Sequence, residues 1–182
     1  MGVGPGGRPC SLEAGSPTVL TDADSAVVRA QLGRPLRGAT AVAHRCRCGL
    51  PDVIETAPRL PDGTPFPTLY YLTCPLASAA VGRLEAGGIM RQMRDRLQTD
   101  PDLAAGHAAA HRAYLIDRAR LGEVPEIAGI SAGGMPSRVK CLHVLVAHAL
   151  AAGAGVNPFG DDALTQLPAW DSGGPCVRQD AP

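Results

Sequence analysis

"TLYYLTCPLASAAVGRLEA", residues 68–86, is the stretch on which the fold turns. Its first six residues carry the aromatic and β-branched content of a strand. Thr73-Cys74-Pro75 then breaks the pattern, and from Leu76 the alanine-rich sequence is helical. Apart from one short helix near the start, strands lie before this junction and helices after it, which gives an α+β fold rather than alternating strand–helix units.

Working backwards, "VIETAP" from Val53 and "ATAVAHRC" from Ala39 read as two more strands. The turn "CGLPD" joins them, and the loop "RLPDGTPFP" leads into Thr68. Further upstream, "TDADSAVVRAQLG" begins with a capping box, Thr21 with Asp24, and Gly33 is its C-cap. Working forwards, Gly87-Gly88 interrupts the helix of residues 76–86, and Ile89, Met93 and Leu97 recur at helical spacing. Asp100-Pro101 pairs an N-cap with a first-turn proline, opening a helix that runs to about Arg120. After a loop, Ser137 caps a helix over 138–152, and Asp161-Asp162 caps one more short helix. The expectation is a small three-stranded antiparallel meander covered by four to five helices. Residues 19–168 are expected to form one α+β domain, with disordered tails rich in Gly and Pro at 1–18 and 169–182.

The length, 182 residues, suits a single core. Lys+Arg and Asp+Glu both number 17, so the zero net charge offers no global attraction to nucleic acid or an anionic membrane. Aromatic residues make up 3%, too few for a single-strand stacking platform. The longest apolar stretch, about Val139 to Val156, is broken by histidines and glycines and falls short of the ~20 residues a spanning helix needs. Without an export signal the chain reads as soluble and cytoplasmic, its six cysteines as thiols or metal ligands rather than disulfides. Cys10 and Cys176 fall in the tails, outside an ordered site.

"RVKCLHVLVAHAL", 138–150, places Cys141, His143 and His148 on one apolar stretch. On a helix covering all three, Cys141 and His143 stand roughly 200° apart, and Cys141 and His148 about 10.5 Å apart along the axis. That helix cannot chelate an ion alone; one or two of the three need partners from elsewhere. Just upstream, the Gly-rich "SAGGMPS" feeds Ser137, Arg138 and Lys140 into the helix start, an anion site in outline. Cys46, Cys48 and Cys74 end the first and third strands, a topology able to bring them to one sheet edge, where Cys141 joins if its helix covers that edge; the favoured reading is separate reduced thiols, with a metal or cluster site and a redox-active pair as the alternatives. Four thiolates would hold zinc or an iron–sulfur cluster, although C-x-C spacing is weakly diagnostic. His107, His111, Tyr114 and Arg118 make a polar stripe, read as a solvated or partner-facing surface.

"DGTPFPTLYYLTCP", 62–75, and "SAGGMPSRVKCLHVLVAHALAAGAGVNPFGDDAL", 131–164, resemble the bacterial domain-of-unknown-function family numbered 501. The resemblance runs from about Thr21 to Leu167. It implies a small soluble protein without an established activity, often encoded beside a cell-division membrane protein and an exopolyphosphatase-like phosphatase. The family motifs map onto Thr73-Cys74-Pro75 and onto Lys140, Cys141, His143 and His148.

The leading functional reading is a pocket where the third strand's end meets the Ser137 helix start. Cys74 lines it, Ser137, Arg138 and Lys140 receive a small phosphate- or carboxylate-bearing ligand, and Cys141 acts as nucleophile with His143 or His148 as acid–base group. The rivals are a non-enzymatic binding or regulatory module with a protein partner and a zinc or iron–sulfur protein. No particular cofactor is singled out, and whether the chain is an enzyme stays open.

Overall fold

One helix is buried nearly all round, and the rest of the molecule is arranged about it. The computed structural model describes residues 16–170 and 172–177. Its elements, in chain order, are β1 (Thr18–Val19), α1 (Asp22–Leu32), β2 (Ala39–Arg45), β3 (Pro51–Thr56), β4 (Tyr70–Leu72), α2 (Pro75–Ala86), α3 (Ile89–Thr99), α4 (Pro101–Ala119), a 3-10 turn (Pro125–Ile127), α5 (Leu142–Ala152) and α6 (Pro158–Gln166). The central helix is α5. Leu142, Leu145, Val146, His148, Ala149 and Leu150 are all sealed from solvent, as befits a helix apolar on every side.

The fold is α+β, with four strands rather than three and six helices rather than four or five among the described residues. The sheet order is β1-β2-β3-β4, antiparallel throughout. The extra strand is a two-residue edge pairing Thr18 with Val42 and Val19 with Ala41, too short to carry a periodicity signal. β3 lies between two neighbours and is buried along its whole length. Its alternate side chains serve different cores. Val53 joins the main core under α5, while Ile54 meets Val28 of α1 and Val42 of β2.

Local sequence sets most helix starts. The Thr21 hydroxyl accepts from the Asp24 amide at 3.1 Å, and the Asp24 carboxylate accepts from the Thr21 amide at 3.2 Å. Asp100 ends α3 and caps α4, accepting from Leu103 N at 3.0 Å. α6 starts earlier than its Asp161-Asp162 pair suggests: Asn157 is the cap, accepting from Gly160 N at 3.0 Å.

α5 is the main departure. It begins at Leu142, not Arg138, and its N-cap is Cys141 with an extended backbone. Arg138 and Lys140, just before Cys141, are tied to the preceding glycine turn instead. Arg138 N donates to Gly134 O at 3.0 Å, and Lys140 N to Gly133 O at 2.8 Å. Gly134 has φ +95°, and a Cβ there would stand 2.7 Å from Arg138 O, so only glycine allows this return.

The polar stripe of α4 also turns out to face inward. His107 and Tyr114 are fully buried and Arg118 nearly so, while Ile116 is 67% exposed. Backbone groups of loops need partners, and the stripe supplies them. The Tyr114 hydroxyl accepts from Leu69 N at 2.5 Å, and the Arg118 guanidinium donates to the carbonyls of Pro67, Ile127 and Ile130. α6 crosses α5 at Gly160, where a Cβ would lie 2.2 Å from Leu145 O and 2.7 Å from Ala149 Cβ. Trp170 and Cys176, expected in a tail, pack against the main core. Cys10 lies outside the described residues. None of the described helices is long and apolar enough to cross a membrane.

Candidate functional site: a Cys–His–Glu cluster at the start of α5

Because α5 starts one residue after Cys141, that cysteine is not on the helix barrel. The 200° separation from His143 therefore does not apply. The Cys141 Sγ comes within 4.0 Å of His143 Nδ1. A third group arrives from α2: Glu85 Oε1 lies 3.4 Å from His143 Nδ1 and accepts from Leu142 N at 2.7 Å. Carboxylate and sulfur together meet the open amides of the helix start. All three side chains are partly exposed.

The imidazole is oriented from outside. His143 Nε2 lies 3.2 Å from the carbonyl oxygen of Ser78, which as a pure acceptor fixes the proton on Nε2. The Nδ1 lone pair is thereby aimed at the sulfur and the carboxylate. The His143 ring holds the Cys141 thiol below its ordinary range, against the opposing effect of burial, and the Val144 amide adds to the lowering. The thiol in turn raises the His143 pKa against desolvation, with Glu85 helping.

One donor atom from each of Glu85, Cys141 and His143 can be chosen so that all lie within 4.8 Å of one another. Metal–ligand bonds of ~2.0–2.3 Å in a tetrahedron put neighbouring donors about 3.3–3.6 Å apart. The observed 3.4 Å already matches and the 4.0 Å exceeds it by only a few tenths of an ångström. Among the described residues this is the one such set.

The other anticipated residues lie elsewhere. His148 is fully buried, 5.7 Å from the stacked Tyr70 ring, with Asn157 Nδ2 donating to its Nδ1 at 3.1 Å. Burial drives its pKa down to about 4, so it is a neutral core group without access to substrate. Cys74 caps α2, about 16 Å along that helix from Glu85 at 1.5 Å per residue. Its neighbouring thiol is Cys176, not Cys141, and burial pushes Cys74 up to about 12. Cys46 and Cys48 interact with each other, and burial raises Cys46 to about 12 as well. The described cysteines thus do not assemble a four-thiolate metal site. Ser137, Arg138 and Lys140 are exposed on the strap before Cys141 rather than in the first turn of a helix.

Glu85 escaped the sequence reading. In "GRLEA" it resembles any solvated glutamate, and only the packing of α2 on α5 brings it to Cys141. One signal was available: a carboxylate in the last turn of a helix sits at the unfavourable end of the dipole, which asks for a compensating partner.

Fold and cluster together define an α+β domain whose candidate chemistry is a half-buried thiol, imidazole and carboxylate at one helix start. The chain belongs to the family described as protein of unknown function (DUF501), which matches residues 42–165. Both sequence blocks that carried the resemblance fall inside that span, as do Glu85, Cys141 and His143. No curated protein and no solved structure matches the chain.

Proposed function

We propose that Glu85, Cys141 and His143 hold a zinc ion whose fourth position takes water or a small anionic ligand. The observation that carries this reading is the convergence of one sulfur, one nitrogen and one oxygen within 4.8 Å. Sulfur, imidazole and carboxylate are the ligand types zinc accepts, and three protein ligands with one open position mark a catalytic rather than a structural centre. The Ser78 carbonyl behind His143 is the outer-shell partner that metal-bound histidines use to fix ring and tautomer. Two acid groups facing one imidazole nitrogen compete for a single proton, whereas one divalent cation satisfies both.

The expected ligand keeps its anionic character. Arg138 and Lys140 are exposed on the strap that leads into Cys141, and neither is ion-paired among the described residues. Zinc adds positive charge at the same end of the strap. The reaction class that fits is metal-assisted hydrolysis or transfer on a phosphate- or carboxylate-bearing substrate.

The test is metal content of full-length protein purified without a histidine tag, before and after chelation and reloading. One equivalent of zinc is expected, with cobalt substitution giving a sulfur-to-metal charge-transfer band that Cys141→Ser abolishes. Protein that returns from reloading with zinc or cobalt at well below one equivalent, while remaining folded, overturns the reading.

A further inference from the structure

A second thiol arrangement lies at the other end of α2 and owes nothing to the metal centre. Cys74, the α2 cap, is 1% exposed and belongs to the core cluster against which Cys176 packs, and Gln31, which bonds the Cys176 sulfur, lines one hollow with Thr73 and Pro75 on either side of Cys74. Cys176 is half-buried against the main core. Its sulfur also accepts a hydrogen bond from Gln31 Nε2 at 3.3 Å, and the same amide nitrogen donates to Pro51 O at 2.7 Å. Gln31 is itself buried. The segment 172–177 is therefore seated on α1, β3 and the start of α2 through one side chain.

We propose that Cys74 and Cys176 are a disulfide-forming pair, through which a low-molecular-weight disulfide fastens the C-terminal segment to the head of α2. Cys176, the less buried of the two, reacts first. The Cys176 thiolate attacks the reagent, RSSR, to give Cys176–S–S–R and release RS⁻. Cys74 then loses its proton and attacks the Cys176 sulfur, expelling the second RS⁻. Two protein thiols are oxidised, and one RSSR is reduced to two RSH. Burial keeps Cys74 a poor thiolate, with its pKa near 12. Closure therefore runs over minutes to hours rather than seconds, and the wait is set by the second step. Cys141 takes no part, because it stands at the start of a different helix.

The experiment treats the full chain with glutathione disulfide at pH 8, blocks remaining thiols with N-ethylmaleimide and maps peptides without reduction. The expected product is a cross-link between the Cys74 and Cys176 peptides, with the other four of the six cysteines outside it. Cys176→Ser removes the cross-link. Cys74→Ser leaves glutathione trapped on Cys176, a persistent mass increase that shows the first step occurring alone. A chain that keeps all thiols, one that pairs Cys46 with Cys48 while Cys74 stays free, or a Cys176→Ser protein with an unchanged cross-link pattern overturns the proposal.

Discussion

Among the described residues two helices begin with a cysteine at the N-cap, and their surroundings push the two thiols in opposite directions. Cys74 precedes α2 and Cys141 precedes α5; both have extended backbone, and neither makes a side-chain cap hydrogen bond. A helix start alone lowers a thiol pKa. At Cys74, burial overrides it and the thiol rises to about 12. At Cys141 the His143 ring tips the balance downward. Capping position offers the opportunity, and the third and fourth neighbours decide whether a thiol is reactive or inert.

The largest effect that bears on this contrast is on metal. Cys141→Ser is expected to weaken zinc binding by on the order of a thousandfold, since losing even an outer-shell partner costs 10–100-fold. Cys74→Ser leaves zinc binding unchanged. Competition titration with a chromophoric chelator measures both, and a zinc loss on Cys74→Ser would erase the distinction between the two helix starts. In metal-free protein, Cys141 should alkylate with iodoacetamide at least ~100-fold faster than Cys74 at pH 7.5, because the thiolate is the reacting form. Time-resolved peptide mass mapping gives both rates, and comparable rates would break the contrast.

Much of the backbone was readable and the site mostly was not. α1 and α4 were placed closely because their caps, Thr21 with Asp24 and Asp100 with Pro101, are local hydrogen-bond devices. The start of α5 was misplaced because Ser137 has the right chemistry for a cap, while the main chain of 138–140 is committed to the Gly133–Gly134 turn. Periodicity found the α4 stripe but not its direction, because the groups it satisfies are carbonyls in loops at Pro67, Ile127 and Ile130. Helical spacing sets Cys141 and His143 on opposite sides, but the helix starts only at Leu142, and the two side chains meet. Their actual partner, Glu85, is 56 residues away in the chain, a contact no local pattern encodes.

Acid sharpens the comparison by loading the body that carries both cysteines. His148 titrates near 6.5 when unfolded and near 4 in the fold. Between those values the unfolded chain holds the extra proton, so stability rises with pH across the window and is lost as pH falls from 6.5 towards 4. The loss should be on the order of 3 kcal/mol, read from urea midpoints. His148→Phe should flatten that slope while lowering stability at neutral pH, because Asn157 Nδ2 would keep only its long contact to Met135 Sδ. A wild-type midpoint independent of pH from 6.5 to 4 would contradict it.

The smallest effect is also the most discriminating. Serine is a good N-cap, so Cys74→Ser should change stability by less than about 1 kcal/mol. Thermal denaturation checks this, and a loss several times larger would mean that the sulfur itself, rather than the cap, holds the head of α2.

Gly160 has a consequence for how the cluster can respond to what it binds. With no side chain between them, α6 and the middle of α5 touch backbone to backbone, so α5 has no cushion on which to slide or roll. His143 rides on that clamped rod. Whatever tightening a cation demands, including the few tenths of an ångström between sulfur and imidazole, falls to the pliant tether ahead of Leu142 and to the reach of the Glu85 side chain.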